Sequence, residues 1–324
     1  MLRVAAVGDI HFAEDSCGKL RPYWSHLEEH ADVFLLCGDL THVGNTDQAL
    51  ALAEELRDIE LPIVAVLGNH DYHAGQPGQV RRALERVGVT VLEGESTTLT
   101  VRGRTLAIAG TKGFGGGFPG ACGHAFGEPE MKAFMHVTER CAEALEANLR
   151  GLHADYRIAL LHYAPVKDTL AGERLELYPF LGSYRLAEAL DRGGADLAIH
   201  GHAHHGAEKG VTTRGIPVRN AAMPLLKRPY TVYELGEHMA VAPTDDVRAN
   251  AVSPSIRSSP LSNTSTKVRS AASLNTCTHM TCPCRRHATS RIHKLGVLCE
   301  AYTFSYCDWH STHRAAVGYA FSRS

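Results

Sequence analysis

The sequence predicts an α/β layered fold over residues 1–236 and a chain of different character over 237–324. Short continuous apolar runs recur, segments of helical period lie between them, and both patterns stop after Leu235. The runs Leu2–Val7, Val33–Cys37 and Ile63–Leu67 lack polar alternation, as strands buried on both faces do. Between the second and third, Thr46 stands as a helix cap. Ala49, Leu52, Ala53, Leu56 and Ile59 then recur at helical spacing until Pro62 ends the helix. A second helix, Val80–Val87, stops at Gly88. A third runs from Glu130 to Arg150, with Phe134, Val137, Cys141, Leu145 and Leu149 along one face. Further strands are predicted at Val89–Leu92, Thr97–Val101, Thr105–Ala109, Tyr156–Leu161, Asp196–Ile199, Val218–Asn220 and Tyr230–Leu235. The hairpin-like middle strands make the sheet arrangement mixed rather than purely parallel.

The 324 residues could form one large domain or two ordinary ones, and at 44% hydrophobic they suffice for a sizeable core. No run of about 18 apolar residues exists to span a membrane. No cleavable apolar leader precedes the first strand, so the expected location is cytoplasmic. From His238 onward there are ten Lys/Arg against four Asp/Glu. The body before it therefore carries −8 of a whole-chain charge of −2. An acidic body argues against a dedicated nucleic-acid binder. Cys17, Cys37, Cys122 and Cys141 lie scattered through the body, as reduced thiols do. Cys277, Cys282, Cys284, Cys299 and Cys307 crowd the tail in a C-P-C arrangement that does not fit a zinc module. The tail holds 22 Ser/Thr and no sustained period, and is expected to be a disordered, low-complexity basic appendage. Tyr302 to Trp309 is its only aromatic patch.

Polar residues appear where the apolar runs end. Gly8-Asp9-Ile10-His11 follows the first, Gly38-Asp39 the second and Gly68-Asn69-His70-Asp71 the third, at intervals of thirty residues. Consecutive strand–helix–strand units bring such ends side by side, and open α/β sheets bind ligands at that edge. His162 ends a later run, and His200-Gly-His202-Ala-His204-His205 ends one more. Each preceding glycine permits a sharp turn with no side chain blocking the site. Carboxylate and imidazole donors without thiolates suit Mn, Fe or Zn. Seven such donors exceed one tetrahedral ion and suit two ions sharing a carboxylate, which generate hydroxide near neutral pH and stabilise an in-line displacement at phosphorus.

These blocks resemble the calcineurin-like metallophosphoesterases, whose ordered pattern is D-x-H, G-D, G-N-H-[DE], H and G-H-x-H. Here they read Asp9-Ile-His11, Gly38-Asp39, Gly68-Asn-His-Asp71, His162 and Gly201-His-Ala-His204, across about residues 1 to 236. The resemblance implies a four-layer α/β/β/α sandwich with mixed sheets and a dinuclear centre at one end. It implies a first ion held by Asp9, His11, Asp39 and His204. The second would take Asp39, Asn69, His162 and His202, with Asp39 bridging. His70 would protonate the leaving oxygen or stabilise developing charge, and Asp71 would orient its loop. The partner is then a small-molecule phosphoester. The protein phosphatases of the family follow G-D with D-R-G; here Leu40-Thr-His-Val-Gly44 follows, which disfavours a protein substrate. A small-molecule or nucleotide phosphoesterase remains, with diesters slightly favoured. Phosphomonoester hydrolysis, a non-catalytic metal-binding scaffold and a metal sensor are the alternatives.

A lone Asp or His at a strand end is usually a cap or turn residue; five blocks in order are not. His200 and His205 fall outside the pattern. His42 could orient His70 or be an ordinary loop histidine, and His73, His124 and His136 receive no role. Gly110 to Gly120 contains a formal G-x-G-x-x-G, but Pro119 and the absence of a directly preceding strand spoil a dinucleotide reading. It reads as a mobile loop over the site, with Lys112 contacting phosphate and Phe114 or Phe118 as a substrate platform. A plain flexible linker is the other reading.

Overall fold

A computed structural model describes residues 1–236. The expectations about the tail, its cysteines and its aromatic patch lie outside the described residues. Thirteen strands are present among those described: β1 (Leu2–Val7), β2 (Val33–Cys37), β3 (Ile63–Val66), β4 (Thr90–Val91), β5 (Glu95–Val101), β6 (Arg104–Thr111), β7 (Gly117–Phe118), β8 (Ala121–Cys122), β9 (Tyr156–Leu161), β10 (Leu197–His200), β11 (Lys209–Val211), β12 (Pro217–Asn220) and β13 (Thr231–Leu235). The α-helices are α1 (Arg21–Trp24), α2 (Leu27–His30), α3 (Thr46–Leu56), α4 (Pro77–Glu85), α5 (Pro129–Gly151), α6 (Tyr178–Leu181), α7 (Tyr184–Gly193) and α8 (Met223–Leu226).

The strands form two large sheets. One runs β13-β1-β2-β3-β4, parallel except for β13 at its edge. The other runs β11-β12-β10-β9-β6-β5, parallel through its centre with antiparallel β11 and β5 outside. Alternation along each strand sorts side chains into layers. Val4, Ala6, Leu35, Cys37, Val64 and Val66 meet Leu106, Ile108, Ile158, Leu160, Leu197 and Ile199 between the sheets. Ala5, Val7, Phe34, Leu36 and Ala65 face the other way, against Leu52, Leu56, Val80 and Leu84 of α3 and α4. Ala159, Leu161, Ala198 and Val218 face Leu145 and Leu149 of α5 and Leu186 and Leu190 of α7. Because both faces of each central strand are covered, these strands read as unbroken apolar runs. The result is a four-layer α/β/β/α sandwich with mixed sheets.

Local expectations shift in three places. Asn45, not Thr46, caps α3, its Oδ1 accepting the Gln48 N–H at 2.8 Å, while the Thr46 hydroxyl donates to Gln76. The buried stripe of α5 is Met135, Thr138, Ala142, Leu145 and Leu149, one residue round from the predicted face over its first half. Thr138 faces inward because its hydroxyl donates to the Gly115 carbonyl, a partner that hydrophobicity does not reveal. The helix α7 is not predicted from the sequence. Its buried positions Leu186, Ala189, Leu190 and Gly193 include two small residues that weaken the apolar signal.

Leu35 is fully buried between the sheets. Leu35→Ala is expected to lower unfolding free energy by about 2–5 kcal/mol through lost burial and a residual cavity, measured by denaturant titration.

Candidate metal centre

Both sheets end their parallel strands at the same edge. The segments after β1, β2 and β3 carry Asp9, His11, Asp39, Asn69 and His70; those after β9 and β10 carry His162, His202 and His204. The ladder between β1 and β2 continues past the strands: Asp9 N–H donates to the Gly38 carbonyl at 2.9 Å and His11 N–H to the Asp39 carbonyl at 3.0 Å. Within the second sheet, Gly201 N–H donates to the His162 carbonyl at 3.2 Å, and across the sheets Gly8 N–H donates to the Ala221 carbonyl at 2.9 Å. These backbone bonds fix where the Cα atoms of the candidate residues stand.

The turns are conformationally costly. Six non-glycine residues among those described have positive φ, and four of them are Asp9, His11, Asp39 and His202, at 58°, 47°, 49° and 73°. Such conformations cost of order 1–3 kcal/mol each and persist where the surroundings over-determine them. Two glycines answer to different needs. Gly38, at φ 80°, could take no side chain without its Cβ falling 2.6 Å from His162 Nδ1. Gly68 has no such φ, but a Cβ there would collide with the Asp39 carboxylate.

Three groups of donors converge, each with its ligand atoms within 4.8 Å of one another: Asp9–His11–His204, Asp39–His162–His202 and His11–His42–His70. His204 Nε2 lies 3.0 Å from Asp9 Oδ1 and 3.4 Å from His11 Nε2. His162 Nε2 lies 3.3 Å from Asp39 Oδ1 and 3.0 Å from Asn69 Oδ1. The other Asp39 oxygen, Oδ2, faces His11 Nε2 at 3.9 Å and His70 Nε2 at 4.0 Å. One carboxylate thus divides its oxygens between the two sides of the cluster. His202 N–H donates to both Asp9 oxygens at 3.0 and 2.8 Å, and its Nε2 lies 3.3 Å from the Phe180 carbonyl.

Burial and charge set the protonation of this group. Burial pulls the His11 imidazole down to about 4 although Asp39 and Asp9 pull the other way. Burial, aided by His162, takes His202 down to about 3. Both are neutral near pH 7 and offer a lone pair. Burial would also lower His162, but the Asp39 charge and hydrogen bond outweigh it and push it up to about 9. Asp39 is its counterpart: burial raises its carboxyl, yet His162, His70 and His11 hold it well below the usual carboxylate range. His162 Nδ1 can donate to the Cys37 carbonyl at 2.9 Å, while Nε2 faces two oxygen acceptors. A cation at that point replaces the Nε2 proton, so the donor set fits divalent metal.

Asp71 stands outside the cluster and clamps it. Its buried carboxylate accepts from Leu40 N–H at 3.1 Å, Thr41 N–H at 2.8 Å, Thr41 Oγ1 at 2.6 Å and Gly68 N–H at 2.8 Å. Burial and the Asp39 charge push its carboxyl up to about 6 against those donors. His70 Nδ1 donates to the His42 backbone carbonyl at 2.7 Å, leaving Nε2 toward Asp39. His42 therefore orients His70 through its backbone; its own ring is exposed.

Of the remaining expected residues, Lys112 is half-buried, its ammonium 5.1, 4.8 and 5.2 Å from the ring centroids of Tyr72, Phe114 and Tyr163. Phe114 packs on Phe134 and Tyr163 with centroids 5.0 and 5.7 Å apart. Phe118 does not join them; it is buried with Leu170, Leu181 and Ala203. The glycine-rich segment is pinned rather than free. Gly116 and Gly117 N–H groups donate to the Pro179 and Gly182 carbonyls at 2.6 and 2.9 Å. His200 is buried, with Nε2 2.8 Å from Thr169 Oγ1, and His205 is exposed. Sequence reasoning missed Tyr163, whose ring lies 4.4 Å from that of His202. Its adjacency to His162 was the available signal. The Phe180 carbonyl has no sequence signal, being a backbone acceptor.

A four-layer sandwich whose carboxylates and imidazoles gather where the parallel strands of both sheets end is the metallophosphoesterase arrangement. The family model described as calcineurin-like phosphoesterase matches residues 2–206, and the chain belongs to that family. Among solved structures, phosphopantetheinyl hydrolase from Mycobacterium tuberculosis is similar with a TM-score of 0.54 at 17% identity, covering 69% of this chain and 92% of that one. A putative 5′-nucleotidase from Staphylococcus aureus aligns with a TM-score of 0.45 at 15% identity, over 75% of this chain and 52% of that one. The protein TT1561 from Thermus thermophilus aligns with a TM-score of 0.44 at 17% identity, over 72% of this chain and 93% of that one. At 17% identity the likeness to the phosphopantetheinyl hydrolase is one of fold. No curated protein matches the chain.

If His162 is a ligand, metal must displace the proton it holds up to about pH 9, and affinity for Mn²⁺ or Zn²⁺ is then expected to rise with pH through the neutral range. The slope should be about tenfold per pH unit for each proton released. Competition with a chromophoric chelator at several pH values measures it, and a flat profile would rule out His162 as a ligand.

Proposed function

We propose that residues 1–236 form a dinuclear-metal-dependent phosphoester hydrolase acting on a small-molecule or nucleotide phosphoester, with diesters slightly favoured over monoesters. The observation that supports it is the division of Asp39: Oδ1 toward His162 and Oδ2 toward His11, a bridging disposition between two donor groups. Asp9, His11, Asp39 and His204 would hold one ion; Asp39, Asn69, His162 and His202 would hold the other. When bound, such a pair of Mn, Fe or Zn ions supplies an activated water and neutralises charge on a phosphoryl oxygen.

The chain's own groups do the rest. His70, held by the His42 carbonyl at Nδ1, presents Nε2 beside Asp39 and from there donates a proton to the leaving oxygen. Asp71 keeps the loops bearing Asp39 and His70 in register through its four donors. Lys112 brings a positive charge to the substrate phosphate, and Phe114 an aromatic face for the leaving group. A diester carries less charge than a monoester. A body of −8 therefore repels it less, which favours the diester. Cys17, Cys37, Cys122 and Cys141 are free thiols, which supports a reducing, cytoplasmic setting.

Hydrolysis of bis-p-nitrophenyl phosphate is expected to require added Mn²⁺ and to vanish with chelator. Asp39→Asn should cut turnover at least a hundredfold and lower metal content; unchanged values for both would refute the assignment. His70→Ala should cost about 10²–10⁴ in kcat with metal content retained. Ending the chain after Gly236 is expected to leave kcat unchanged, and a folded but inactive truncation would assign the tail a part in catalysis.

A further inference from the structure

We propose that His11, His42 and His70 form a third metal site, selective for zinc-like ions, whose filling shuts down the centre described above. The binding site stands on its own geometry; only its inhibitory consequence rests on the proposed hydrolase. The three rings each place a nitrogen within 4.8 Å of the others. Their centroids are 4.5 Å apart for His11 and His70, 6.0 Å for His42 and His70, and 6.2 Å for His11 and His42. Zinc–nitrogen bonds of about 2.0–2.1 Å at tetrahedral angles hold three imidazole centroids about 5 Å apart. The observed triangle straddles that value, and its two long edges both end at His42. His42 is exposed, so its ring can swing inward by the short distance required.

The chemistry of the donors agrees. A ligating histidine ordinarily donates its other N–H to a carbonyl or carboxylate. His70 already does so, through Nδ1 to the His42 carbonyl at 2.7 Å, which leaves the Nε2 lone pair for a metal. His11 lacks such an acceptor at its buried Nδ1, so no hydrogen bond fixes its tautomer and its Nε2, 3.9 Å from Asp39 Oδ2, can present a lone pair on the same side as His70. Three imidazoles, with the Asp39 Oδ2 oxygen standing 3.9 and 4.0 Å from His11 and His70 Nε2, form a more nitrogen-rich set than either group containing Asp9 or Asp39 as a member. Such a set favours Zn²⁺ or Cu²⁺ over Mn²⁺ and Mg²⁺.

Occupancy and hydrolysis exclude each other. The His70 Nε2 lone pair that a third ion would take is the one that must carry the proton for the leaving oxygen. His11 is shared with the Asp9–His204 group, so a third ion also loosens that side of the cluster. The site would therefore act as a brake that excess zinc applies and excess magnesium does not.

The test uses the full chain loaded with Mn²⁺. Zinc is titrated calorimetrically into wild type, His42→Ala and His73→Ala, and into assays of bis-p-nitrophenyl phosphate hydrolysis. Each variant is normalised to its own zinc-free rate. His73 is an exposed neighbour whose ring lies 6.4 Å from that of His70 but which is absent from the triad, so it serves as the control. The expected result is a zinc-binding phase in wild type and His73→Ala that is missing in His42→Ala. The zinc concentration for half-inhibition should rise at least tenfold in His42→Ala, and Mg²⁺ should not inhibit any of the three. Identical isotherms for wild type and His42→Ala would overturn the site, and a retained zinc phase with unchanged inhibition would do the same. Absence of hydrolysis in every variant would sink the proposed function instead, while the isotherms would still decide whether the third site exists.

Discussion

The Asp39 carboxylate, almost wholly buried, sits with one oxygen toward each of two histidine-bearing loops. A charge so far from water is tolerable only if cations or protonated imidazoles surround it. The structure meets that demand with His162, pushed up to about 9 by the same carboxylate. Much of the local architecture follows from keeping this group of carboxylates and imidazoles together. Two sheets must end at one edge, and Gly68 must leave room beside the carboxylate. Cys37 must give its carbonyl to His162 Nδ1.

The divisions of labour around this anion are plain in the hydrogen bonds. Asp9 holds the His202 loop through a backbone N–H as well as facing His204. Asp71 touches neither group and instead gathers N–H donors from two loops, a structural clamp adjacent in sequence to the histidine it serves. Neighbouring carboxylates thus take different tasks according to what each can accept. Asp39 faces imidazoles and stays far below its usual range, whereas Asp71 faces amides in a buried niche and is raised to about 6.

Much of this could be read from the sequence because the ligands sit directly after apolar runs. Gly8-Asp9, Gly38-Asp39 and Gly68-Asn69 mark strand ends, and parallel pairing brings such ends together. What could not be read was mediated by backbone atoms or by packing of distant segments. The Phe180 and His42 carbonyls are invisible in side-chain identity. The glycines from 113 to 117 suggest freedom, yet Gly116 and Gly117 are tied to the α6 region. In that segment the small side chain serves close approach: a Cβ on Gly115 would meet the Pro179 carbonyl at 2.5 Å. The buried face of α5 departs from its apolar pattern for a related reason, since Thr138 is drawn inward by a polar contact.

The left-handed backbone at Asp9, His11, Asp39 and His202 also bears on how this scaffold can change. Four residues of the proposed metal centre are held in dihedral regions that glycine occupies without penalty, so the groups the proposed chemistry needs strain the framework. Exchanging one of them for glycine relaxes the chain while abolishing its ligand. Thermodynamic durability alone would favour glycine at these positions, so the side chains that stand there cost the fold stability.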